Sequence, residues 1–355
     1  MDETTDKKIP FISIIMPVYN VEKYLVRSLD SIFNQVFKGA FEVIAVDDCS
    51  TDNSLKVLKS YREKERRLII IEHAENMKVS IARSSGMNAA IGDYIMHVDP
   101  DDWMAPGALE CLQQKIKQTS ADVIVFNYIR ENTEGKRGFV KKIKKEKISI
   151  NKTRLQVHFY GAPWNKIVKR SIIKGMIFGQ KGINNGDDLL YATEILIRVQ
   201  KIKLIREFLY VYFLNTSSLT QTATNEDTLK TLANVTHEFS NLLNNYKETE
   251  IAQNLYKLRL QYSIDFISKN MFNIKREKYD LIPLITELKL FPNSEKTKIN
   301  LMDLSNSPFY FLLQIGLGRI RLKNIYHFLR SLYLTKKQIL TIHPLMSNDK
   351  NQLSN

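Results

Sequence analysis

Three short acidic runs carry the residues of this chain best suited to chemistry: Asp47-Asp48, Asp99-Pro100-Asp101-Asp102 and Asp187-Asp188. In an extended segment residues two apart point the same way, so Asp99 and Asp101 can present both carboxylates to one hard cation. Mg²⁺ and Mn²⁺ take oxygen ligands and are commonly held by one or two carboxylates, with substrate phosphates completing the shell. Such an ion neutralises a departing diphosphate, and a further carboxylate can act as general base on an attacking hydroxyl. Acids in short runs also serve solvated turns and helix starts, where they bond backbone N–H groups. Spacing alone leaves both readings open.

The flanking residues say what positions these acids. Phe11 to Met16 is a β-branched run ended by Pro17, and apolar residues then recur at helical spacing from Val21 to Phe33. Phe41 to Val46 predicts a second strand, followed by a polar turn and a helix capped by Asp52 and running to about Tyr61. A third strand is expected at Leu68 to Ile71, then a helix capped by Ser80 and running to Ile91. A fourth strand, Tyr94 to Val98, runs directly into Asp99, and a fifth, Val123 to Phe126, follows a helix over Pro106 to Thr119. Strands alternating with amphipathic helices predict an α/β domain around a mainly parallel sheet, whose ligands bind beyond the carboxyl ends of the strands. Those ends carry Tyr19, Asp48 and Asp99. Glu131 to Lys147 reads as a loop or solvated hairpin, and Trp164 to Val168, Asp187 to Ala192 and Leu209 to Leu214 as ordered elements of a second half.

Four stretches match one pattern in order: Ser13 to Asn20, Val46 to Asp52, Ala82-Arg83 through Gly92 to Ile95, and His97 to Trp103. Together they resemble family 2 glycosyltransferases of the GT-A fold, an inverting group that builds bacterial surface polysaccharides. The resemblance implies a Rossmann-like catalytic domain over residues 11–220, with a nucleotide-sugar half at 11–128 and an acceptor half at 129–220. By the same resemblance Pro17, Val18, Tyr19, Asn20 and Asp48 hold the uracil and ribose, with Asp99 beside them. Arg83 faces the donor phosphates, and Asp101 with Asp99 binds Mn²⁺ or Mg²⁺.

The second half resembles the same family. Asp187-Asp188 matches its Gly-Glu-Asp element, which makes Asp188 the expected general base; Asp187 replaces the usual Glu and shortens one arm near the acceptor. Trp164-Asn165-Lys166 matches a Trp-x-Lys segment whose aromatic face can pack on a sugar ring. Trp164, Lys166 and Asp187 are therefore the expected acceptor contacts. Tyr210-Val211-Tyr212-Phe213 and residues 215–220 resemble the element that closes many of these domains. Phe213 stands where Arg is common, so a donor phosphate contact is either missing or supplied elsewhere, and Lys166 or Arg83 could compensate. The implied reaction is a single inverting displacement from a UDP-sugar, of hexosyl or N-acetylhexosaminyl type, to a hydroxyl of a saccharide or lipid-linked saccharide.

Composition bounds this reading. The chain has 355 residues, 44% hydrophobic and 25% charged, enough for one large domain and an appendage and unlike a disordered or fibrous sequence. Cys49 and Cys111 lack partners at metal-ligand spacing and make a poor disulfide framework, so a reducing, cytoplasmic setting is expected. No apolar run reaches membrane-spanning length, and residues 1–10 read as a polar tail. Charge is uneven: residues 1–128 carry 15 Lys and Arg against 19 Asp and Glu, and residues 129–355 carry 37 against 19.

Residues 225–355 read as a helical basic region. Its segment 304–348 has no acid and interleaves Arg319, Arg321, Arg330 and Lys336 with Tyr310, Phe311, Phe328 and Tyr333. Such a segment fits peripheral docking on the inner face of the plasma membrane, and equally a solvated helical face. A basic nucleic-acid-binding protein is the rival class, but its DNA would meet the acidic runs, no helix-turn-helix or zinc spacing is present, and no nucleic-acid partner is expected. An oxidoreductase or a nucleotidyltransferase would place a Gly-rich loop where Pro17 to Asn20 stand.

Overall fold

A computed structural model of the chain describes residues 11–141, 143–149, 163–176 and 187–214. All of them fall in the first of two compact units, Met1–Ser263 with Lys269–Lys275. The expectations for residues 1–10, 215–220 and 225–355, with the docking segment 304–348, lie outside the described residues.

Four strands, β1 (Ile12–Val18), β2 (Phe41–Asp47), β3 (Leu68–Glu72) and β4 (Tyr94–His97), form a parallel block in the order β3-β2-β1-β4. Three helices connect them: α1 (Glu22–Phe33), α2 (Ser54–Lys64) and α3 (Val79–Ala89). Next come β5 (Trp103–Met104), α4 (Ala108–Thr119), β6 (Val123–Asn132), β7 (Arg137–Val140) and β8 (Lys147–Ser149). The chain continues through a 3₁₀ turn at Pro163–Asn165, β9 (Lys166–Lys169), α5 (Arg170–Ile173), α6 (Asp187–Arg198) and β10 (Ile202–Leu214). The sheet continues β4-β9-β6-β10-β5, with β7 on β6 and β8 on β10. It is mixed: β6 and β10 are parallel, while β9 runs antiparallel to both β4 and β6.

Alternation along β1 explains the layers. Ile12, Ile14, Met16 and Val18 face one side with Leu25, Leu29 and Ile32 of α1, Leu58 of α2 and Leu109, Leu112 and Ile116 of α4. Ile15, with Ile44 and Val46 of β2, faces the other side with Ala82 of α3 and Tyr191, Ile195 and Leu196 of α6. Each Val, Leu, Ile or Met among them removed from water contributes about 1.5–3 kcal/mol, so both faces of the sheet are held by apolar burial. Gly86 lets α3 approach β1 closely, since a Cβ there would lie 2.5 Å from Ile15 Cγ2.

One of the two expected helix caps shifts. The first residue before α3 is Lys78, with Ser80 inside the first turn, and Lys78 holds φ 77° and ψ 161°, a region populated almost only by glycine. Asp52 does serve α2, accepting the Ser54 N–H at 2.9 Å, and its second oxygen accepts the Glu22 N–H of α1 at 3.1 Å. Glu22 returns the contact by accepting from the Asn53 N–H at 2.8 Å, so the two helix starts satisfy each other's free donors.

Candidate active site

Parallel strands release their chains at one edge, and β2, β1 and β4 are neighbours in the sheet. Asp48 follows β2 and Asp99 follows β4, so both leave the same carboxyl edge, separated by the width of β1, roughly 10 Å of sheet. Between them β1 delivers Tyr19 and Asn20, both exposed. Pro17 fits in β1 because the pairing with β4 ends at Ile15.

The base and ribose candidates divide by what their atoms already do. Asp48 is 3% exposed. Its Oδ1 accepts the Met77 N–H at 2.9 Å and lies 2.7 Å from His73 Nδ1, and its Oδ2 accepts the Lys78 N–H at 2.7 Å. His73 Nε2 lies in turn 2.9 Å from Ser85 Oγ. Asp48 thus anchors the 73–78 loop, and any nucleotide contact through it must share these oxygens. Asn20, at φ 52°, spans two strand ends by accepting the Thr51 N–H at 2.8 Å. Val18 needs correction as a side-chain contact: it is fully buried in the core, and its carbonyl accepts the Asp48 N–H at 2.8 Å.

The acidic turn after β4 gives its three carboxylates three environments. Asp99 Oδ1 accepts from Arg83 Nη2 of α3 at 2.8 Å. Asp102 is 1% exposed; its Oδ2 accepts the Tyr210 O–H and its Oδ1 the Phe213 N–H, both at 2.8 Å. Burial first, then Asp101 and Asp99, push Asp102 well above the usual carboxylate range. The Asp99 N–H donates to the Tyr210 hydroxyl at 3.0 Å, which ties this turn twice to β10. Asp101 is pushed up to about 6, by burial first and by Asp99 second, and its side chain bonds no other residue among the described residues.

Among the described residues no group of three or more His, Cys, Asp or Glu could hold a metal ion by itself. The donor set nevertheless fits a hard cation of the expected kind. Asp101 offers its carboxylate, Asp99 has an oxygen beyond its pair with Arg83, and phosphates would complete the shell.

Beneath this edge lies a buried polar layer. His97, the last residue of β4, is fully buried, neither ring nitrogen has a hydrogen-bond partner among the described residues, and its ring meets Tyr191 edge-on at 5.1 Å. Burial, then Arg83 and Lys166, hold its pKa well below the ordinary value, so it is neutral. Tyr191 sits one turn beyond Asp188 on α6, so this contact brings the start of α6 to the strand that carries Asp99. Asp188 is partly exposed in that first turn.

Two of the three acceptor candidates, Trp164 and Lys166, are corrected by their burial. Trp164 is 6% exposed, with its ring parallel to Tyr210 at 4.6 Å and to Tyr212 at 5.5 Å and edge-on to Tyr128 at 4.7 Å. Its faces pack on protein rings, leaving almost no surface for a sugar. Lys166 is 1% exposed and belongs to the layer under His97. The side chain of Asp187 lies outside the described residues. Of the two cations that could compensate for the arginine absent at Phe213, Lys166 is 1% exposed and Arg83 is 7% exposed and paired with Asp99; the guanidinium over the Phe213 ring, at 4.5 Å, belongs to Arg27 of α1. Reading by motif missed Arg27, His73 and the hydroxyl of Tyr210. His73 is the first residue after β3, so the strand-end rule points to it; Arg27 gives no such signal.

The comparisons with known proteins fall on this same framework. The pattern described as Glycosyl transferase family 2 matches residues 13–176. The uncharacterized glycosyltransferase MJ1057 of Methanocaldococcus jannaschii is 30% identical over 208 residues, covering 57% of this chain and 70% of that protein. This chain belongs to glycosyltransferase family 2. Glycosyltransferase GlyA of Streptococcus pneumoniae is 31% identical over 223 residues, 59% of this chain, which spans only 31% of that relative's length. The fold is that of Staphylococcus aureus TarS 1–349, solved in complex with UDP-GlcNAc: TM-score 0.63, 22% identity, 79% of this chain and 81% of that one. Among the described residues both cysteines are free and no helix is long and apolar enough to cross a membrane.

Proposed function

We propose that this chain is an inverting glycosyltransferase that moves a sugar from a UDP-sugar to a hydroxyl of a saccharide or lipid-linked saccharide in the synthesis of a bacterial surface polysaccharide. One observation carries the reading: Asp48, the Arg83–Asp99 pair and the accessible Asp101 gather at one carboxyl edge of a family 2 fold, with the start of α6 and Asp188 brought toward it. That arrangement supports a nucleotide lying across β1 with its diphosphate at Asp101. A bound Mn²⁺ or Mg²⁺ would be held by Asp101 and Asp99 and would supply charge neutralisation to the departing diphosphate. Asp188 takes the proton of the attacking hydroxyl, and no covalent nucleophile is required. The choice of UDP is supported by the UDP-GlcNAc bound to TarS, named as a poly(ribitol-phosphate) beta-N-acetylglucosaminyltransferase.

The test is UDP release from a panel of UDP-sugars with Mn²⁺, with and without EDTA. Release that requires the ion and one donor is expected; no release from any donor would overturn the reading. Residues 304–348 are proposed to dock the enzyme on anionic membrane. Protein ending at Asp303 that still sediments with anionic vesicles would refute this second part.

A further inference from the structure

The first helix reaches across to the acidic turn at three points. Arg27 Nη2 donates to the main-chain oxygen of Asp101 at 3.3 Å. One turn further along α1, Ser31 Oγ accepts the Met104 N–H at 3.0 Å. Just past the helix, Gln35 Nε2 donates to the Ala105 oxygen at 3.0 Å. Residues 27, 31 and 35 thus follow one stripe of helical spacing and grip consecutive parts of the segment after Asp99.

Arg27 differs from the other two in what it touches. Its guanidinium carbon lies 3.7 Å from the centre of the Trp103 ring and 4.5 Å from that of Phe213. The two rings are 5.7 Å apart, and Tyr24 adds a third ring 5.7 Å from Phe213. Phe213 donates its N–H to Asp102. Arg27 therefore contacts the residue before Asp102, the residue after it and the strand that holds it. A flat guanidinium can lie over rings and donate in its own plane at once, which an ammonium cannot do.

We propose that Arg27 is a positioning residue for Asp101: its stack on Trp103 and Phe213 and its bond to the Asp101 carbonyl hold the acidic turn in the conformation that presents the Asp101 carboxylate to a cation. The cation in this statement rests on the proposed function; the bracing of the turn does not. Electrostatics gives the proposal a distinctive sign. A positive charge beside a cation site repels the cation, so its removal without any movement would tighten the site. Weaker binding after that removal reports a displaced carboxylate.

The experiment uses the full chain with Arg27→Met, which keeps an apolar stem over the rings, and Arg27→Lys, which keeps the charge but not the plane. Amide hydrogen exchange is first measured without metal or nucleotide. Exchange at Asp102 to Ala105 is expected to rise roughly 3-fold in both variants, about the size of one stacked cation contact at an exposed site, while β2 stays unchanged. Mn²⁺ binding in the presence of UDP, followed by water-proton relaxation, is expected to weaken by roughly 3-fold in both. Unchanged exchange in the turn, an equal rise in β2, full rescue by lysine, or unchanged or tighter Mn²⁺ binding by the Met variant would each overturn the proposal. Wild-type protein that binds no Mn²⁺ would instead count against the metal in the proposed function, with the exchange measurement still deciding whether Arg27 braces the turn.

Discussion

Replacing Asp101 by Asn should make the protein more stable and inactive at the same time. The carboxyl is pushed up to about 6 from 3.8 because burial and Asp99 oppose its charge. At about 1.4 kcal/mol per pKa unit this corresponds to about 3 kcal/mol of native-state penalty for the charged form. The side chain is partly exposed, and screening by water reduces the figure to about 1–2 kcal/mol. The sign follows from linkage. A carboxyl raised in the folded state contributes stability that is fully present below 3.8 and lost as pH rises through about 6. Asn is neutral throughout and keeps that contribution at pH 7. Urea denaturation between pH 4 and 7.5 should therefore find the Asn variant more stable by about 1–2 kcal/mol at neutral pH, with the gap closing toward pH 4. UDP release dependent on Mn²⁺ should disappear in the same variant. A variant less stable at pH 7, or a gap independent of pH, would refute the account of an uncompensated carboxylate kept for function.

Other outcomes follow from the site. Asp188→Asn should abolish sugar transfer while UDP affinity by calorimetry stays within about twofold, as expected of a base that acts only on the acceptor. Trp164→Ala should cost about 3–5 kcal/mol in denaturant unfolding, the loss of a packed aromatic; an acceptor KM effect with unchanged stability would restore a sugar-binding role. Lys78→Gly should stabilise by about 1 kcal/mol, since relief of about 1–3 kcal/mol of backbone strain is partly offset by the greater freedom of glycine in the unfolded chain. Chelation by EDTA should remove donor turnover, and added Mn²⁺ should restore it.

Much of the nucleotide half is legible in the sequence because its strands are apolar runs closed by polar turns. Phe41 to Val46 and Leu68 to Ile71 each extend by only one residue in β2 and β3. The antiparallel β9 is a different case: Lys166-Ile167-Val168-Lys169 is four residues long, and its place between β4 and β6 comes from pairing with distant strands. The separate fates of Asp99, Asp101 and Asp102 are equally hidden. Local spacing pairs Asp99 with Asp101 but is silent on Asp102, and only the arrival of Tyr210 and Phe213 selects Asp102 for burial. Lys78 misleads in another way, because a lysine at its position signals an ordinary backbone where the fold imposes one suited to glycine. The indole of Trp164 was legible as an aromatic of consequence, while its partners, Tyr210 and Tyr212, lie 46 and 48 positions further on and fix it as a packing group.

The bonds that bury Asp102 join residues 108 and 111 positions apart. During synthesis the acidic turn emerges long before β10, and until that strand docks, this aspartate has neither of the donors that make its burial tolerable. A nascent chain paused before Ile202 would carry a nucleotide half with an open, hydrated turn, and ribosome-bound lengths ending on either side of β10 should differ in protease sensitivity there.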